Sequence, residues 1–149
     1  MRAAALLALL ALPLAGCGGG GSGGGLSPQA KAMLATLPRP YRDGDVENGR
    51  TLFNLCKSCH TAIAGGATIT GPNLHGVFGR KAGVTPGYAY SSALAATGWT
   101  WDASRLDVWL KDPRAAVPGT KMTFVGIADD KDRRDVVAYL KLVTSDVAP

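Results

Sequence analysis

Cys56-Lys57-Ser58-Cys59-His60 brings two thiols and an imidazole into one pentapeptide. Two cysteines three apart at the end of a helix face the same way, so their sulfurs can bond the two vinyl groups along one side of a porphyrin. The histidine that follows is then set beneath the iron, where a neutral imidazole nitrogen is a standard proximal ligand. Cys-x-x-Cys-His is the attachment signature of c-type haem, and it assigns the covalent link to Cys56 and Cys59 and one iron bond to His60. A Cys-x-x-Cys pair also serves thioredoxin-like redox sites and zinc half-sites. The first expects a surrounding βαβ pattern and the second a further ligand pair, and neither is legible here.

A second iron ligand is expected from Met122, in Pro118-Gly119-Thr120-Lys121-Met122. Alone, a methionine in a chain of this size is most often a core gap-filler. Elimination strengthens it: of the three methionines, Met1 is the initiator and Met33 precedes the domain. A thioether opposite an imidazole raises the reduction potential and closes the sixth position, so such an iron passes electrons rather than binding oxygen. The rival ligand, His75, lies near His60 in a Gly/Pro-rich stretch and reads as an exposed loop histidine.

The start of the chain points to a compartment. Arg2 followed by the apolar run Ala3 to Leu14 reads as a secretion signal, too short for a bilayer-spanning helix of about 20 residues. Its end, Leu14-Ala15-Gly16-Cys17, resembles the lipobox of bacterial lipoproteins, in which the cysteine is diacylated and becomes the new N-terminus. An ordinary small-residue cleavage site with an incidental cysteine is the alternative. On the lipoprotein reading residues 1–16 are the signal peptide and Cys17 carries lipid, which leaves no disulfide to expect.

Residues 17–25 form a glycine-rich tether, flexible and with an average reach of roughly 15–20 Å. Residues 26–43 hold a short helix with Ser27 as N-cap and Pro28 in its first turn, stopped by Pro38-Arg39-Pro40. Whether this segment is a spacer or lies against the membrane or the domain is open at this level. Residues 44–149 form a single domain. It is expected to be all-α, with helices from Val46 to about Lys57 capped by Asp45, from Asp102 to Pro113, and from about Asp129 to Val143. A shorter turn is expected at Ser91 to Ala96. The long Gly/Pro-rich stretch from Thr61 to Tyr90 would argue against a compact domain, unless a buried macrocycle supplies the core it wraps.

From Gly44 to Lys141 the chain resembles the class I c-type cytochromes, of the mitochondrial and bacterial c2 kind. The resemblance rests on Gly44 to Gly49, on Cys56 to His60, on Thr70-Gly71-Pro72-Asn73-Leu74-His75-Gly76-Val77-Phe78-Gly79-Arg80, on Pro118 to Met122, and on Asp135 to Lys141. It implies three main helices and long loops around one covalently bound haem c. It further implies that the Pro72 carbonyl accepts a hydrogen bond from His60, and that Arg80, Tyr90 and Trp101 serve the haem propionates. Thr120 matches a position near the methionine ligand and a propionate, Phe124 one beside the haem edge, and Gly49 and Phe53 positions that pack on Tyr139.

Two departures stand out. Trp109 replaces a usual tyrosine, and Leu94 a common asparagine, so the polar network on the Met122 side is expected to differ. Lysines that ring the haem edge in the family are replaced at several positions by Leu55, Ala115, Ala128 and Asp129, while Lys57, Lys81, Arg114 and Lys121 supply part of a ring. Without Arg2 the chain carries 15 basic and 11 acidic residues, a mildly basic balance.

The function expected is one-electron transfer on the periplasmic side between a quinol-oxidising complex and a terminal oxidase or reductase. The protein is expected to be a membrane-anchored monomer with no nucleic-acid partner. The competing class is an enzyme: a haem peroxidase if Met122 does not hold the sixth position, or a thiol oxidoreductase if Cys56 or Cys59 is free.

Overall fold

Each helix begins where a short polar side chain can hold the unpaired N–H groups of its first turn. In the computed structural model, which describes residues 25–148, six α-helices follow this rule: α1 (Pro28–Ala35), α2 (Val46–Leu52), α3 (Ser92–Ala95), α4 (Ala103–Lys111), α5 (Pro113–Ala116) and α6 (Asp130–Val143). Their caps are Ser27, Asp45, Ser91, Asp102, Asp112 and Asp129, each accepting at least one backbone N–H two or three residues on. Among the described residues there is no strand, only an isolated antiparallel bridge between Lys81 and Thr100, so the all-α expectation holds. No helix there is long and apolar enough to cross a membrane. Cys17, the signal segment 1–16 and nearly all of the tether lie outside the described residues.

Two boundaries differ from the sequence reading. The helix expected to run to about Lys57 is α-helical only to Leu52, then tightens into a 3₁₀ turn over Phe53–Leu55. The tightening has a use, because the Cys56 carbonyl then receives the N–H groups of both Cys59 (3.1 Å) and His60 (2.9 Å), winding the haem-attachment segment into a compact turn. The helix expected to reach Pro113 stops at Lys111. Asp112 adopts an extended conformation and caps a new turn, α5, at whose start Pro113 has no N–H to satisfy.

α2 crosses α6 at Gly49, and only glycine fits. A Cβ there would lie 2.1 Å from the Asp135 carbonyl oxygen and 2.8 Å from the Tyr139 Cβ. Beside the crossing, the rings of Phe53 and Tyr139 pack with centroids 5.4 Å apart. Asp135 is 2% exposed and fastens the same junction, accepting from the Asp45 N–H (2.8 Å), the Asn48 amide (2.8 Å) and Lys131 (2.7 Å). Buried Arg133 does the equivalent work toward α4: its guanidinium donates to Asp107 (2.8 Å), to Asp130, and to the carbonyls of Ile127 (2.9 Å) and Ala128 (2.7 Å). Since Ile127 N–H also donates to Leu110 (2.9 Å), the loop after Met122 is held from two sides.

α1 packs against the rest of the described fold. Ala30, Leu34, Leu37 and Tyr41 are buried, and α1 with the 3₁₀ turn at Tyr41–Asp43 lies against α6. α6 is thus covered by α2 and α4 and by this N-terminal segment, and all five residues Val136 to Leu140 are buried.

Candidate haem-binding cleft

The turn from Cys56 to His60 forms part of a cleft of about 330 Å³, within the range of ligand sites. Cys56 and Cys59 both line it, and neither is in a disulfide among the described residues. Burial pushes the Cys56 thiol up to about 11, with the Cys59 sulfur adding to the effect, so before attachment it is a protonated thiol rather than a thiolate.

His60 also lines the cleft, and its orientation is fixed by its surroundings. Its Nδ1 lies 2.7 Å from the Pro72 carbonyl oxygen, which can only accept, so Nδ1 carries the proton and Nε2 keeps its lone pair. Burial pushes His60 below its ordinary pKa against the opposing pull of that carbonyl, which keeps the imidazole neutral. Gly71 N–H donates to the Cys59 carbonyl (2.8 Å), drawing the Gly71-Pro72 backbone against the ring. A Cβ on Gly71 would stand 2.3 Å from the His60 Cε1. Sequence reasoning gave Gly71 no role; the signal was a glycine beside the proline already singled out.

Met122 reaches the same cleft from the other end of the domain, on the segment after α5. Thr120 caps that segment by accepting the Met122 N–H (3.2 Å), and Lys121 donates to the Ala89 carbonyl (2.6 Å), joining the Met122 segment to the loop that carries Tyr90. Thr120 and Phe124 line the cleft as well. The Lys121 contact was not anticipated from sequence, because a surface lysine at that position carries no local signal.

Arg80, Tyr90 and Trp101 complete the set, so all ten residues expected at the cofactor meet on one cleft. The Arg80 guanidinium donates to the carbonyls of His75 (2.8 Å) and Asn73 (3.2 Å) and pairs with no carboxylate among the described residues. Trp101 packs edge-on against Trp109 (5.5 Å between centroids), and both stack edge-on against Trp99, over which Arg105 lies at 4.4 Å. With Leu94 also buried, the wall where the family pattern has hydroxyl and amide groups is here aromatic and aliphatic. His75 lies away from the cleft, its Nε2 2.9 Å from the Asp146 carboxylate.

This lining fits a c-type haem: two thiols and a neutral imidazole from one turn, a thioether from another segment, apolar walls, and one guanidinium with no carboxylate partner to face the propionates. No Asp or Glu lines the cleft among the described residues.

Comparison with known proteins agrees. Residues 46–144 match the family described as Cytochrome c. The chain is similar to cytochrome c of Kluyveromyces lactis, 45% identical over 105 residues that span 70% of this chain and 96% of that protein. It is equally similar to cytochrome c2 of Rhodomicrobium vannielii, 45% identical over 109 residues, or 73% and 87% of the two chains. Among solved structures it matches cytochrome cH from Methylobacterium extorquens at 48% identity and a TM-score of 0.62, covering 66% of this chain and 98% of that one. The chain belongs to the cytochrome c family, as a haem-based electron carrier rather than an enzyme, with one haem c attached covalently through Cys56 and Cys59.

Proposed function

We propose that this protein is a membrane-tethered shuttle, with His60 and Met122 as the iron ligands and Cys17 as the lipid anchor. It works on the periplasmic side between a quinol-oxidising complex and a terminal oxidase or reductase. The observation that carries the reading is the convergence of His60 Nε2, left free by the Pro72 contact, and the Met122 side chain on one cleft.

Haem c, when bound, supplies a one-electron ferric–ferrous couple. The chain's own residues do the rest. Cys56 and Cys59 fasten the cofactor, while Pro72 and Gly71 hold the imidazole ring in one orientation. Met122 would offer its thioether to the iron and shield it from small molecules, and Thr120 and Lys121 steady its segment. Arg80, with Tyr90 and Trp101 beside it, offers donors to the propionates. The apolar wall of Leu94, Trp109 and Leu110 keeps water out, so little solvent has to reorganise when the charge changes.

The anchor rests on Leu14-Ala15-Gly16-Cys17 and the export signal before it. Two acyl chains give stable attachment where one is marginal. Tethering confines the carrier and its partners to one membrane, raising their effective concentration and reducing the need for long-range attraction. Mass spectrometry of the mature N-terminus tests this directly. A diacylated Cys17 at the new terminus is expected; an unmodified Cys17, or cleavage elsewhere, overturns the anchor and leaves the haem assignment intact.

A further inference from the structure

The N-terminal segment meets the domain through a tyrosine that reaches a charged network on α4 and α6. Tyr41 is 9% exposed, and the 3₁₀ turn that carries it lies against α6. Its hydroxyl faces the Asp107 carboxylate and the Ser104 hydroxyl on α4; burial, and after it Asp107, push the phenol above its ordinary pKa, so it keeps its proton to donate. Asp107 in turn accepts from the Arg133 Nε–H (2.8 Å), and the guanidinium, 4% exposed, reaches on to the carbonyls of Ile127 (2.9 Å) and Ala128 (2.7 Å). Those two carbonyls close the loop that carries Met122. After Met122 the chain is next fastened, among the described residues, at residues 126–128: the Ile127 N–H donates to the Leu110 carbonyl (2.9 Å), and a Cβ on Gly126 would stand 2.1 Å from the Lys111 carbonyl oxygen. Tyr41 itself precedes residues 46–144, the part shared with the family, so this tie belongs to the chain's own N-terminal segment.

We propose that Tyr41 is a positioning residue for Met122: its hydroxyl orients Asp107, Asp107 orients Arg133, and Arg133 holds the far end of the Met122 loop so that the thioether stays in the cleft. The inference rests on the reading above of Met122 as an iron ligand. Arg133 is the buried link. Its planar fork serves two carboxylates and two carbonyls at once, so a shift of one carboxylate turns the whole group. A loop with no helix of its own opens more readily when one of its few ties is loosened. A chain of contacts transmits an effect only where it biases two arrangements, here Met122 held in the cleft and Met122 displaced. Simple packing is the competing account of Tyr41, and the two differ in what they ask of it. Packing needs only the ring, whereas positioning needs the hydroxyl.

The test uses the full mature holoprotein in the ferric state, titrated with imidazole, a small ligand that competes with the thioether. Loss of the weak red sulfur–iron absorption reports displacement, and urea unfolding reports stability. Tyr41→Phe keeps the ring and removes the hydroxyl; it is expected to raise imidazole affinity about threefold to tenfold, the range for a mutation within a coupling network that touches neither ligand. Asp107→Asn should raise it at least as much, and the double variant no further than Asp107→Asn alone, because both act on one route. Thr144→Ala is the control: Thr144 is fully buried at the other end of α6, where its Oγ1 donates to the Leu140 carbonyl (2.7 Å). It should lower stability in urea at least as much as Tyr41→Phe while leaving imidazole affinity within about twofold of wild type. An unmoved affinity in Tyr41→Phe overturns the positioning role and leaves Met122 standing as the ligand. An equal rise in Thr144→Ala overturns it as well, by making the effect one of general stability. Single effects that simply add in the double variant overturn the route through Asp107. A wild-type protein without the red band overturns the ligand reading and this inference together. Where Asp107→Asn yields no holoprotein, Tyr41→Phe and Thr144→Ala decide the matter between them.

Discussion

The Nδ1 of His60 lies 2.7 Å from the Pro72 carbonyl oxygen, and the preceding residue, Gly71, has no side chain because a Cβ there would meet the ring at 2.3 Å. One contact selects the tautomer and the other the ring plane. Gly71→Ala therefore forces the imidazole to shift while leaving both thioether bonds possible. We predict that the variant retains covalent haem on a denaturing gel, loses about 1–3 kcal/mol of stability, and has an altered absorption spectrum and potential. An unaltered spectrum and potential would show that the ring is not pinned by this backbone.

Asp135 makes a pH prediction. Burial by itself would raise its pKa, but Lys131, the Asn48 amide and the Asp45 N–H together outweigh burial and hold the carboxyl below its ordinary range. A folded-state pKa below the unfolded one contributes stability that is complete above the ordinary carboxylate range and is lost as pH falls through the folded value. Asp135→Asn should cost about 1–3 kcal/mol at neutral pH, with the gap to wild type closing on acidification. Urea unfolding at a series of pH values reads both; a gap that stays constant into acid contradicts the assignment.

The N-terminal helix gives a third prediction. Leu34 is buried between α1 and the rest of the fold, so Leu34→Ala should destabilise the whole domain by about 2–3 kcal/mol. A free spacer would leave global unfolding untouched.

How much of this was legible in the sequence depends on how local its cause is. Helix starts were readable at Ser27, Asp45 and Asp102 because a cap acts within three residues of itself. The restart at Asp112 was not, since Pro113 serves equally to end one helix and to begin another. The 3₁₀ winding at Phe53–Leu55 depends on where Cys56 to His60 must sit, which is tertiary information. The docking of α1 had a signal that went unused: Val136 to Leu140 includes no polar stripe, and a helix apolar around its circumference is covered on more than one side. In the cleft, motif spacing pointed to Cys56, Cys59 and His60, elimination to Met122, and family resemblance to Arg80 and Tyr90. The aromatic contacts joining Trp99, Trp101 and Trp109 link residues far enough apart that no periodicity connects them.

The apolar wall formed by Trp109 and Leu94 yields a fourth expectation. Each buried side chain stands where the family pattern places a polar group, and the polarity of the surrounding shell tunes both potential and ligand strength. Trp109→Tyr and Leu94→Asn should each move the reduction potential and the pH at which the methionine ligand is lost. Titration followed by absorption measures both; values equal to wild type in the two variants would contradict the idea.

The central claim is that His60 and Met122 together hold the iron of an electron carrier. Its most direct measurement is the weak red absorption of a sulfur–iron bond, recorded on the ferric holoprotein at neutral pH. The band is predicted in wild type and its loss in Met122→Ala, with covalent haem retained in both. A wild-type protein lacking the band, or a Met122→Ala variant that keeps it, would contradict the account.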